Sequence, residues 1–206
     1  FHKLLFFTIV KLACYLLINI IKKAEEFDNK IQVIPGMELS CKYTISSSQS
    51  VEIHMLGYRY DIHNKKLIAT LEDISNERDE RNRKMCSNLQ NAGFPISYDM
   101  LCERFGDTIL TRAHFADETG GVPSLDYAFR PCLSSDSPYF VNREYLTPKD
   151  AIDLIRASGG IPVLAHPLLY KLSVSQIRRL LDDLTSYGLC GIEAIYSRNR
   201  GTDEAF

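Results

Sequence analysis

The sequence predicts an α/β fold in which a parallel-sheet half is separated from an earlier strand region by a helical insertion. Three observations carry that expectation. From Thr147 onward a helix, a strand, a second helix and a second strand follow one another with helix-length crossovers, the grammar of a parallel sheet or α/β barrel. Before them, "VEIHMLGYRY" alternates as a half-buried strand should. Between the two, Lys65 to Tyr145 offers helical spacing and many turn residues but no convincing long strand.

The bulk composition bounds the function classes. With 206 residues, 45% of them apolar and 24% charged, the chain is an ordinary soluble type that can bury a core. A net charge of -2 excludes a broadly basic surface, so any nucleic-acid contact has to come from a local arginine cluster. The six cysteines (Cys14, Cys41, Cys86, Cys102, Cys132, Cys190) form no CxxC pair and no repeated interval. That argues against a zinc ribbon or a secreted disulfide framework and for reduced, structural thiols in a cytoplasmic protein.

The elements are justified in chain order. Residues 1–21 are unassigned. Leu4 to Ile21 is apolar and nearly long enough to span a bilayer, but Lys11 at its middle costs about 2.5–3.5 kcal/mol on insertion scales, so a membrane span is disfavoured. No small-residue cleavage site marks a signal peptide, and the chain reads as a piece of a longer protein. Lys22 to Phe27 reads as a helix end. "IQVIPG" reads as a short strand closed by Pro35 and Gly36, ending just before Glu38. "SCKYTISSSQS" is then a polar hairpin or loop, and the next strand places Val51, Ile53 and Met55 on one face with Glu52, His54 and Leu56 on the other.

From Lys65 to Ala92, Leu67, Leu71, Ile74, Met85 and Leu89 fall at helical intervals, with Gly93 as the stop. Thr147 followed by Pro148 is an N-cap with proline at the first helical position, opening "PKDAIDLIRAS", which paired glycines end. Strand "IPVLAH", helix "SVSQIRRLLDDLTSYG" and strand "GIEAIYS" complete the pattern.

Three candidate metal ligands share one context: Glu38 after a strand, His54 within one, and His166 at the end of another. Strand carboxyl ends are where ligands converge in parallel α/β folds. Taken singly, each also fits a solvated loop carboxylate or a packed strand histidine. Arg78 and Arg81 lie three apart on one helix face, and Arg112 precedes His114 in "TRAHFA". Guanidinium groups grip phosphate bidentately, though a solvated helix with pairs such as Glu77 to Arg81 explains the same spacing. His2 and His63 have no assigned role.

The stretches "VIPGMELS", "EIHMLGY", "ERDERNRKMCSNL", "TRAHFA", "AIDLIRASGGIPVLAHP" and "GIEA" occur in this order from Lys22 to Tyr196. In them the chain resembles the polymerase and histidinol phosphatase (PHP) family, in its bacterial branch of small phosphoesterases acting on nucleotides and short RNA. The resemblance implies a distorted, here incomplete, β/α barrel contributed by residues 22–64 and 148–206, with 65–147 as a helical insertion. It implies metal-dependent hydrolysis of phosphate esters, as a nucleoside 3',5'-bisphosphate phosphatase or a 5'-to-3' exonuclease on RNA or DNA oligonucleotides. Glu38, His54 and His166 would bind divalent metals (manganese, zinc or iron, more than one in the intact protein). Arg78 or Arg81, with Arg112 and His114, would hold substrate phosphate.

No protein nucleophile is then required, because the metals hold the attacking hydroxide. The His-x-His and Asp-x-His segments that open the family have no match in Phe1 to Ile21, nor does its Ser-Asp-x-His segment occur before Phe206. The expectation is therefore a partial cluster and weak or absent activity for this piece. A catalytically dead PHP-like module that binds nucleotide or protein is the alternative. No stable protein partner is expected.

Overall fold

A computed structural model of the chain describes residues 3–8, 21–24, 26, 31–106, 110–111, 114–115, 133–134 and 136–194. It divides into two compact units, Phe1–Ala69 with Tyr145–Phe206, and Thr70–Glu144. The sequence reading set the insertion a few residues wider, at 65–147.

The first unit is built on one five-stranded sheet: β1 (Lys3–Thr8), β2 (Ile31–Ser46), β3 (Gln49–Tyr58), β4 (Ile161–Leu164) and β5 (Gly191–Ile192), lying side by side in that order. β1 runs parallel to β2, β3 is antiparallel to both of its neighbours, and β4 and β5 are parallel. The expected parallel β-α-β half is thus β4 and β5. The described strands form an open sheet with β1 and β5 at its edges, an α/β architecture.

One expectation for the strand region is corrected. The strand does not end before Glu38 but runs on to Ser46, and of the two readings of Ser40 to Ser50 the hairpin holds rather than the loop, since β2 turns at 47–48 into the antiparallel β3. Pro35 is tolerated because its nitrogen and carbonyl both point toward β3, where the paired register begins only at Gly36 and Tyr58. There the carbonyl accepts from Arg59 N–H at 2.9 Å and no donor is demanded of the ring nitrogen. The polar run that follows keeps strict alternation. Met37, Leu39, Cys41 and Tyr43 are buried, and the residues between them are half-buried or exposed. In the unassigned apolar N-terminal run, Lys3–Thr8 is the strand β1, while residues 9–20 lie outside the described residues. Among the described residues, no helix is long and apolar enough to cross a membrane.

Helix α1 (Lys65–Asn91) starts where Asn64 Oδ1 accepts from Leu67 N–H at 3.0 Å, and it stops at Gly93, whose φ of +90° favours glycine. In the second unit α1 and α2 (Tyr98–Phe105) bury Met85, Leu89, Ile96, Leu101, Phe115 and Leu133 in one cluster. In the first unit α3 (Pro148–Ala157) is capped as the sequence predicts, with Thr147 Oγ1 accepting from Asp150 N–H at 3.1 Å. It ends in a Schellman arrangement, Gly160 N–H to Ile155 O and Gly159 N–H to Arg156 O, both 2.9 Å. Helix α4 (Val174–Tyr187) opens with a capping box between Ser173 and Gln176.

The odd-numbered face of the β2–β3 hairpin packs under α3. A Cβ on Gly57 would lie 3.0 Å from Ile155 Cγ1 and 3.2 Å from Met37, so the missing side chain is what lets the helix approach. At the far end of β2, Tyr43 Oη donates to Asp183 of α4 at 2.6 Å. The even-numbered face carries Glu38, Ser40, Glu52 and His54 beside the buried Leu56. Ile155, fully buried against Gly57, should be a keystone: Ile155→Ala is expected to cost about 2–5 kcal/mol, read as a lower urea midpoint at unchanged m-value.

Candidate metal centre

On the even-numbered face, β2 and β3 pair Glu38 with Leu56 and Ser40 with His54, which makes Glu38 and His54 diagonal neighbours across the hairpin. Their side chains meet: His54 Nδ1 donates to Glu38 Oε1 at 2.6 Å. His166 arrives from the end of β4, two residues past its last strand residue, Leu164, where the sequence placed it at a strand end. Its Nε2 lies 3.2 Å from His54 Nδ1 and 3.3 Å from Glu38 Oε1. The two imidazoles meet edge to face, with centroids 4.9 Å apart. One donor atom from each of the three residues falls within a 4.8 Å span.

Because β3 runs antiparallel to β4, convergence does not take place at the carboxyl ends of parallel strands. His54 lies in the interior of β3, opposite the point where β4 finishes. His166 has left-handed backbone, φ 26° and ψ 58°, a region a non-glycine residue enters only when its surroundings hold it there. Glu193, just past β5, helps to do so: its carboxylate accepts from His166 N–H at 2.8 Å, while its own N–H donates to Leu164 O at 2.9 Å.

The electrostatics suit a cation. His54 has a second acidic neighbour, Glu52 Oε1, 3.4 Å from Nε2, and Glu52 in turn accepts from Tyr145 Oη at 3.1 Å. The hydrogen bond to Glu38, and next the one to Glu52, push the His54 imidazolium up to about 9 against the opposing effect of burial. Reciprocally, Glu38 is held below its ordinary carboxyl range, first by the His54 hydrogen bond. Two imidazoles and a carboxylate are a donor set that suits zinc, manganese or iron, and a carboxylate behind a ligating histidine is a common supporting arrangement. The donor atoms present therefore fit a divalent metal.

Arg78, Arg81 and His114 belong to the second unit, and Arg112 lies outside the described residues. Arg81 is engaged within its unit, with Nε donating to Val141 O at 3.1 Å and Nη1 to Asn82 Oδ1 at 2.7 Å. His114 Nδ1 accepts from Thr111 N–H at 2.8 Å and its ring stacks beside Phe105 at 4.6 Å. Sequence reasoning missed Glu52, Tyr170 and Glu193. For Glu52 the signal was present, since alternation puts it on the His54 face.

A sheet face that presents two imidazoles and a carboxylate to one point defines a candidate metal-binding α/β domain. No protein-family model matches the chain. It is similar to a 5'-3' exoribonuclease of Haemophilus influenzae, 31% identical over 166 residues, which cover 79% of this chain and 58% of the relative. A 3',5'-nucleoside bisphosphate phosphatase of Chromobacterium violaceum is 32% identical over 146 residues, 68% of this chain and 51% of the relative. The chain thus spans about half the length of the curated relatives it matches.

Among solved structures, an amidohydrolase from Chromobacterium violaceum with bound sulfate and no metal superposes with a TM-score of 0.73 at 28% identity, covering 90% of this chain and 66% of that one. A structure from Bifidobacterium adolescentis, described as a metal-dependent phosphoesterase, shares the fold at a TM-score of 0.74 and 22% identity, covering 97% and 69%. These relatives and structural neighbours fit the branch of the PHP family that the chain resembles in its sequence motifs.

A metal ion entering the cluster has to displace the proton that His54 Nδ1 gives to Glu38. With that imidazolium pushed up to about 9, manganese affinity is expected to fall about tenfold per pH unit as pH drops below about 9. Proton release should accompany binding at neutral pH. Calorimetric titration in buffers of different ionisation enthalpy measures both, and a pH-independent affinity with no proton release contradicts the site.

Proposed function

We propose that the chain is the metal-binding part of a phosphoesterase that hydrolyses phosphate esters of nucleotides or short oligonucleotides, as a 3',5'-bisphosphate phosphatase or a 5'-to-3' exonuclease. The observation that carries this reading is the convergence of Glu38 Oε1, His54 Nδ1 and His166 Nε2 on one sheet face. Relatives named exoribonuclease and bisphosphate phosphatase support the substrate class. In this proposal the polar face of the sheet is the inner wall of a PHP-type barrel completed by further strands, residues 65–147 form the helical insertion, and the protein works in the cytoplasm.

The metals, manganese, zinc or iron and more than one in the intact protein, supply polarisation of the phosphoryl oxygens and a low-pKa water. The chain's own residues do the rest. Glu38, His54 and His166 hold the ion, Glu52 takes up the charge on His54 from behind, and Glu193 fixes the backbone of His166. Arg78 or Arg81, with Arg112 and His114, bind substrate phosphate.

Two outcomes test the reading. In the intact protein, phosphate release from a nucleoside 3',5'-bisphosphate should require manganese, stop with a chelator, and fall by at least ~10–100-fold in His54→Ala or His166→Ala. Turnover that survives the chelator or either substitution overturns it. For the clamp, Arg78→Ala and Arg112→Ala should each raise KM about tenfold or more with a smaller change in kcat, the loss of one charge-assisted hydrogen bond to phosphate. An unchanged KM in both removes these arginines from the site.

A further inference from the structure

The register places one more pair beyond Met55 and Leu164, namely His54 opposite Ala165, and Ala165 N–H does donate to His54 O at 3.0 Å. In an antiparallel pair that makes one such bond the two residues exchange both, so His54 N–H should return to Ala165 O. It does not. The hydroxyl of Tyr170 stands in the gap: His54 N–H donates to Tyr170 Oη at 2.9 Å, and Tyr170 Oη donates to Ala165 O at 2.6 Å, with a longer contact to His54 O at 3.5 Å.

The side chain is brought there by the short 3-10 turn Pro167–Tyr170, closed by Leu169 N–H on His166 O at 3.0 Å and ended by Lys171 in left-handed backbone. The Tyr170 ring stands edge-on to His166, with centroids 5.6 Å apart. Burial raises the Tyr170 hydroxyl well above its ordinary pKa, so it remains a proton donor.

We propose that Tyr170 is a positioning residue for the metal centre: its hydroxyl replaces the closing ladder bond and sets the separation at which His54 and His166 face one ion. With the hydroxyl between the strands, β4 parts from β3 one residue before His166, so that His166 can turn its ring toward His54 Nδ1. Without it, the strands either close directly, drawing Ala165 and with it His166 toward β3, or leave His54 N–H and Ala165 O without their bridge. In both cases the donor atoms no longer meet at one point. This rests on the metal reading above and deepens it, since Tyr170 touches backbone on both imidazole-bearing segments and need not touch the ion.

Tyr170→Phe keeps the ring and removes only the hydroxyl. In the full chain it is expected to weaken manganese binding about 10–100-fold, as loss of a supporting partner does. It should also speed hydrogen exchange at the His54 amide in metal-free protein. Tyr43→Phe is the control: it removes a buried-side hydroxyl bonded to Asp183 on the opposite face, and should lower the thermal midpoint while leaving manganese affinity unchanged. Manganese affinity within twofold of the parent in Tyr170→Phe, an unaltered His54 amide, or equal weakening in Tyr43→Phe overturns the inference. If the parent chain itself binds no manganese, the metal reading falls and this inference with it. Binding by the parent that Tyr170→Phe leaves intact removes the inference alone.

Discussion

Everything at the centre depends on the register of β2 against β3. Side chains alternate across a strand with a period of two, so pairing Glu38 with Leu56 and Ser40 with His54 commits Met37, Leu39, Cys41, Ile53 and Met55 to one face and Glu38 and His54 to the other. A slip of one residue would exchange the two sets. It would bury a carboxylate and an imidazole under α3 and expose a methionine and isoleucine row, at a cost no single contact offsets. Hydrophobic burial of the odd face is therefore what fixes the polar face, and the site inherits its precision from the core behind it. Gly57 and Ile155 are the point of closest approach in that core.

The polar face holds its charges in a balance that a cation completes. Glu38 and Glu52 face the imidazoles while Glu193 holds the His166 backbone, and in the metal-free geometry His54 answers by staying protonated well above the usual histidine range. That proton occupies the place a metal would take. The same carboxylates that stabilise the imidazolium would stabilise a bound dication more strongly, because the charge to be neutralised is larger and sits between Glu38 and both rings. The strained backbone of His166 belongs to this balance, since its conformation persists only while Glu193 and the turn to Tyr170 hold it.

The sequence carried much of this. Alternation in "VEIHMLGYRY" sorted Glu52 and His54 from Ile53 and Met55, the caps at Thr147 and the paired glycines bounded α3, and three of the site's side chains were named from their strand context. Legibility failed where local punctuation and tertiary pairing disagreed. Pro35 and Gly36 read as a strand end, yet the sheet accepts them because the proline's missing donor falls at the last rung.

The serine-rich run left hairpin and loop both open because its polarity hid an alternation that only burial reveals. Tyr170 and Glu193 were invisible for a different reason. Their work is done on backbone groups, and in the case of Tyr170 on a strand 116 residues away, a distance no local pattern encodes.

The central claim is that one ion sits between β2, β3 and the end of β4. Anomalous diffraction from crystals soaked in zinc or manganese tests it directly. The account predicts a peak bonded at once to Glu38 Oε1, His54 Nδ1 and His166 Nε2, at about 2.0–2.2 Å for zinc. A metal-loaded crystal in which those three atoms keep their mutual hydrogen bonds, with density for the ion absent or elsewhere, would contradict it.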